Sequence, residues 1–204
     1  MDVAPRFQYQ TYLIRRQFFK LFGAAFHVYG PNDELVFYSK QKAFRLREDI
    51  RLYADESATE EVLTIHARQW LDFAAAYDVY DTQTGEKIGG LKRQGFSSLV
   101  RDHWTFMDAY DRDIGTIEEE SAVLALVRRF IALGDWIPQK FVGTVNGQPV
   151  CEFRQHFNPI VQKITLDFSM DPYGQLDRRL GLAAGILLSA IEQRQGNEGI
   201  SLGI

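Results

Sequence analysis

Leu180-Gly-Leu-Ala-Ala-Gly-Ile-Leu-Leu-Ser-Ala-Ile191 is the stretch on which the fold of this chain turns. It is helix-forming, and none of its side chains is charged. A helix at a protein surface keeps one polar face, so this one belongs either among protein on every side or in lipid. Length separates the two: a helix from 180 to 191 is about 18 Å long, whereas a bilayer crossing takes about 20 apolar residues. The spacing therefore predicts a helix buried in protein. It starts near Leu176-Asp177, fades around Gln195-Gly196 and leaves a tail over residues 197–204.

What precedes it reads as strands. Ala25-Phe-His-Val-Tyr29 and Leu35-Val-Phe-Tyr38 flank a tip at Gly30-Pro-Asn-Asp-Glu34. The same unit recurs as Ile50–Tyr53 with residues 61–66, Tyr77–Tyr80 with residues 86–88, and Trp104–Met107 with residues 114–117. Hairpins at such even spacing predict a meandering antiparallel sheet. A fifth pairs Phe141-Val-Gly-Thr-Val145 with Gln148-Pro-Val-Cys-Glu-Phe153 across Asn146-Gly147, a dipeptide suited to a tight turn, and Pro149 marks an edge or a strand start. The last strand, residues 161–168, sets Ile164, Leu166 and Phe168 on one face against Lys163, Thr165 and Asp167 on the other. An amphipathic helix is expected over residues 121–133, with Ser121 as N-cap and Gly134 as its stop, covering one opening of a barrel.

Composition narrows the class. The 204 residues are 46% hydrophobic and 13% aromatic, which needs a large interior and excludes a disordered chain. We read residues 1–204 as one domain with its core over about 12–195. A net charge of −4 supplies no overall field for nucleic acid, and none is expected as a partner. Cys151, the only cysteine, excludes an internal disulfide and a multi-cysteine zinc site, and suits a reducing compartment. The polar residues 1–7 lack the apolar run of a signal peptide, so the expected location is the cytoplasm, at a membrane face or away from one.

Four features carry a resemblance: the hairpin Phe26-His-Val-Tyr29 / Leu35-Val-Phe-Tyr38, the basic strand after it, the strand–turn–strand over residues 77–91, and Asp167-Phe-Ser-Met170 leading through Leu176-Asp177 into the apolar helix. In this order the chain resembles the tubby C-terminal-like superfamily, in its phospholipid-scramblase and LURP-one-related branches, over about residues 12–192. The resemblance implies a closed antiparallel β-barrel of about twelve strands around a buried C-terminal α-helix. It also implies contact with phospholipid or phosphoinositide, although fold alone does not decide function. The scramblase branch carries a calcium-binding acidic segment before its last helix. Here the corresponding residues are Asp167, Asp171 and Asp177, interrupted by Pro172 and Gly174, and they lack the alternate spacing of an EF-hand. No calcium dependence is expected.

The densest basic stretch is Lys40-Gln-Lys-Ala-Phe-Arg-Leu-Arg47. If residues 44–47 form a strand, Arg45 and Arg47 share a face, and with Lys40 and Lys42 they make a cationic surface able to grip anionic headgroups. The competing reading is a solvated face balanced by Glu48 and Asp49. Lys92-Arg93 is a lesser patch, because neighbours on a strand point to opposite faces. His27, His66, His103 and His156 fall on separate strands without metal-site spacing, and His103 beside Asp102 has no nucleophile elbow to serve. Gly89-Gly90 marks a bulge or bend, and Cys151 has no activating setting. The expectation is a non-enzymatic, lipid-associated binding module with no catalytic residue, cofactor or metal. The alternatives are a protein-interaction module working through its hairpin tips, a phospholipid scramblase, and an enzyme without short motifs.

Overall fold

The computed structural model describes residues 3–19, 23–41, 49–68, 76–93, 103–120, 139–156 and 161–191. Twelve strands follow in order: β1 (Thr11–Phe19), β2 (Gly23–Tyr29), β3 (Leu35–Gln41), β4 (Ile50–Tyr53), β5 (Glu61–Ala67), β6 (Ala76–Asp81), β7 (Lys87–Arg93), β8 (His103–Asp108), β9 (Asp113–Glu119), β10 (Lys140–Val145), β11 (Gln148–His156) and β12 (Val161–Asp167). Helix α1 (Arg178–Ile191) comes last. Each strand pairs antiparallel with the next, and β12 returns to β1, so the sheet closes and keeps no open edge. This is the closed barrel with a C-terminal helix that the sequence and its resemblance lead one to expect.

The five hairpins are built alike. In each, the second strand carries one extra residue beside the turn: Val36, Val62, Ile88, Ile114 and Val150. Such bulges tighten local twist, which a closing barrel needs. They also turn an apolar side chain inward next to another, so that Val36 and Phe37 are both buried, as are Val62 with Leu63 and Val150 with Cys151. Pro149 sits at the last of these bulges, where a missing N–H does least harm to the ladder.

Missing from the sequence expectation is β1. Its core carries Arg15-Arg16, adjacent charges that hide the alternation, and Arg16 faces inward at 7% exposure beside Tyr12 and Ile14. The reason lies at the end of the helix. Arg16 Nη1 donates to the carbonyls of Ser189 at 2.6 Å and Ala190 at 3.3 Å, placing a cation on the negative end of α1. At the other end Asp177 accepts the Arg179 N–H at 2.9 Å as N-cap, and Arg179 Nη1 reaches Asp81 at 2.6 Å, fastening the helix to the β6–β7 hairpin.

Between these fastenings α1 fills the bore. Leu182, Ile186 and Leu187 are fully buried, worth about 1.5 to 3 kcal/mol each as an upper figure. Close approach depends on two glycines one helical turn apart. A Cβ at Gly181 would stand 2.5 Å from the Phe168 ring, and one at Gly185 2.5 Å from Ile14 Cδ1. Among the described residues no helix is long and apolar enough to cross a membrane. The helix expected over residues 121–133, the strand expected over 44–47 and the tail 197–204 lie outside the described residues.

Candidate functional site

Among the described residues α1 occupies the bore, which directs attention to the outer wall and the two rims. Of the four basic residues singled out from sequence, Lys40 stands exposed on β3, opposite Ala25 of β2. Lys42, Arg45 and Arg47 lie outside the described residues. Among the described residues no carboxylate approaches Lys40.

The strand register shows a relation that no spacing in sequence reveals. His156, Lys163, Arg15, His27, Tyr38 and Tyr53 stand directly opposite one another across β11, β12, β1, β2, β3 and β4. All point outward, because their strand neighbours Ile14, Arg16, Phe26, Val28, Phe37, Ser39, Gln162 and Ile164 are buried inward. The guanidinium of Arg15 lies 4.4 Å from the Tyr29 ring centre, and His27 is stacked against Tyr29 and set edge-on to Tyr38. Among the described residues two carboxylates reach this row, both from hairpin tips: Asp33 to Arg15 at 3.3 Å and Glu56 to His27 at 3.1 Å. Lys163 has no ion pair among the described residues, and His156 meets the Thr165 hydroxyl at 2.7 Å.

The far wall is organised in the opposite way. Asp78 of β6, 8% exposed, receives Arg68 at 2.6 Å and Lys87 at 2.9 Å, and both cations also contact Asp111 at the β8–β9 tip. Burial penalises the Asp78 carboxylate, but hydrogen bonds from Arg68 and Lys87 outweigh that penalty and hold its pKa below the ordinary carboxylate value. Hydrogen bonds from Lys87 and then Arg68 do the same for Asp111.

The remaining sequence candidates resolve into local roles. Asp167 accepts the Ser169 N–H, buried Asp171 accepts those of Gln175 and Leu176, and Asp177 caps α1, so the three carboxylates shape the turn into the helix. His66 is hydrogen-bonded to Asp49, and His103 faces Glu118 at 3.4 Å. Asp102 lies outside the described residues. Burial pushes the Cys151 thiol well above its usual value, which makes it inert as a nucleophile. Lys92 stands on the outer side of β7, while Arg93 shares the inward side of Leu91. Gly89, beside the Ile88 bulge, leaves room for Leu180 of the helix, whose Cδ2 would be 3.1 Å from a Cβ there. At the hairpin rim Tyr110 and Tyr173 are 81% and 88% exposed.

Comparison with known proteins agrees with this architecture. The model of the LURP-one-related family matches residues 10–189. An X-ray structure of a protein from Arabidopsis thaliana is similar to the barrel with a TM-score of 0.51 at 14% sequence identity, covering 94% of this chain and 98% of the plant protein. No curated protein matches the sequence significantly.

Proposed function

The chain belongs to the LURP-one-related family, and from that premise we propose that it is a non-enzymatic binding module that meets anionic phospholipid headgroups, phosphoinositides included, at the cytoplasmic face of a membrane. The contact residues are Lys40, Lys42, Arg45 and Arg47. The observation that supports this reading is Lys40: an exposed cation without a carboxylate partner among the described residues, opening the densest basic run of an acidic chain. With α1 in the bore, a ligand meets the outside of the barrel, and a basic segment at an outer position attracts an anionic surface by about 1 kcal/mol per residue.

Co-sedimentation with vesicles of graded anionic lipid content tests it. The intact protein binds at low salt, added salt weakens binding, and Arg45→Ser/Arg47→Ser weakens it about tenfold or more at unchanged thermal stability. Failure of the intact protein to bind at low salt overturns the reading. Transfer of dye-labelled lipid between leaflets separates a lipid-moving activity from binding alone. A second reading, a protein-interaction module, is favoured by the exposed Tyr110 and Tyr173 at the hairpin rim, and it takes the lead if vesicles are not bound.

A further inference from the structure

We infer that the outer wall formed by β12, β1, β2 and β3 is itself a docking surface for an anionic lipid bilayer, with Lys163 and Arg15 at its centre and Lys40 on its margin. The inference rests on the membrane reading above and extends it to residues that no basic run in the sequence marks.

The first ground is an imbalance in how charge is distributed. Strands β1, β2 and β3 contain no aspartate or glutamate, although 27 of the 204 residues in the chain are acidic. On β12 the one carboxylate, Asp167, is turned to the backbone of Ser169. The second ground is the pairing of Arg15 with Lys163. They are direct cross-strand partners, with His156 opposite Lys163 on the far side and His27 opposite Arg15. Like charges placed directly opposite each other destabilise a sheet. Asp33 offsets Arg15 from a hairpin tip, whereas Lys163 has no ion pair among the described residues, so the residual cost of the pair is one that a bound anionic surface removes.

The shape and chemistry of the wall select the occupant. From Lys163 to Tyr38 the row crosses three strand spacings, about 14 Å, along the convex outside of a barrel. Two adjacent cations flanked by aromatic rings on a convex wall meet a surface rather than enclose a small anion. Lys163 contributes a compact ammonium and Arg15 a planar fork, both matched to phosphate oxygens. Tyr29 and Tyr38, half-buried beside them, have the apolar body and polar tip that suit a headgroup region. Asp33 and Glu56 at the hairpin tips bound the patch on its acidic side.

The test uses the full chain and vesicles of phosphatidylcholine with graded phosphatidylserine. Lys163→Glu weakens binding about tenfold or more, while the melting temperature stays the same or rises, because a carboxylate at position 163 faces Arg15. Lys92→Glu makes the same change of net charge on β7, across the barrel, and weakens binding less than about threefold. Equal losses from the two variants overturn the inference, since bulk charge then explains binding. Full binding by Lys163→Glu alongside a loss in Arg45→Ser/Arg47→Ser overturns the wall and leaves the basic run. No binding by the intact protein overturns both. Should Lys163→Glu fail to fold, Lys163→Ser decides, with an expected loss of about fivefold.

Discussion

Two walls of one barrel use charge in opposite ways. Around β6 and β7 the cations are spent on the protein itself: Arg68, just after β5, and Lys87 converge on Asp78 and Asp111, and the whole group is closed by ion pairs. On β12, β1, β2 and β3 the strands supply Lys163, Arg15 and Lys40; their one carboxylate, Asp167, is turned to the Ser169 backbone, and Asp33 reaches Arg15 from a hairpin tip. Both walls hang on the same helix and follow the same alternation, so packing does not account for the difference. A charge held by buried partners serves stability, whereas one left among like charges remains available to something outside. The expected consequences run from a total effect shared by both walls down to a small one confined to a single pair.

The largest effect tests what the walls share. Cutting the chain before Leu176 removes α1 and with it the fully buried Leu182, Ile186 and Leu187 from between all twelve strands. We expect an aggregating product without a cooperative melt. A soluble truncated barrel with a sharp thermal transition would show that the sheet closes without its plug.

Next comes the self-paired wall. Asp78→Ala leaves Arg68 and Lys87 without their buried partner and is expected to cost about 3 kcal/mol, a fall in melting temperature of about 6 to 12 °C. Acid should act on the same group. The folded-state pKa values of Asp78 and Asp111 lie below the ordinary carboxylate value, so their contribution is complete at neutral pH and is lost as pH falls below about 4 through the depressed folded values. Urea titrations at stepped pH check this: the intact protein loses more stability over that window than Asp78→Ala does, and parallel losses in the two would assign the acid sensitivity elsewhere.

On the other wall Arg16, turned inward, is structural, and it sharpens the contrast with its outward neighbour. Arg16 binds the last carbonyls of α1, and Arg16→Met is expected to cost about 2 kcal/mol through lost charge-assisted hydrogen bonds and helix-end attraction. Fraying of the helix end should appear as faster amide exchange near residues 189–190. Unchanged exchange there would mean that the helix end is held by packing alone.

Much of the barrel could be read from the sequence because its hairpins repeat one physical unit. The bulged residues 36, 62, 88 and 114 fall at equal intervals, and polar tips separate alternating strands throughout. What escaped reading was β1, where Arg15 faces solvent and Arg16 faces a helix about 170 positions later in the chain. The candidate surface was legible only in part for a related reason. Lys40 begins a visible basic run, but Lys163 and Arg15 come together through the closure of β12 on β1, and the register of that closure is set by packing around the helix rather than by local spacing.

The smallest expected effect is also the most discriminating. Arg15 and Lys163 are directly opposed, so a double-mutant cycle between Arg15→Met and Lys163→Met should give an interaction energy of a few tenths of a kcal/mol with the sign of repulsion. Methionine keeps the length of each side chain against the sheet, and the lost contact of Arg15 with Tyr29 cancels because it appears on both sides of the cycle. Salt should shrink this coupling, since both side chains are near solvent and separated by about one strand spacing. The corresponding cycle between Asp78→Asn and Lys87→Met should show attraction and retain more of its value in salt, because Asp78 is buried. An attractive coupling between Arg15 and Lys163 would mean that a carboxylate has been recruited between them. The contrast between the two walls, and the docking surface inferred from it, would then lose their physical basis.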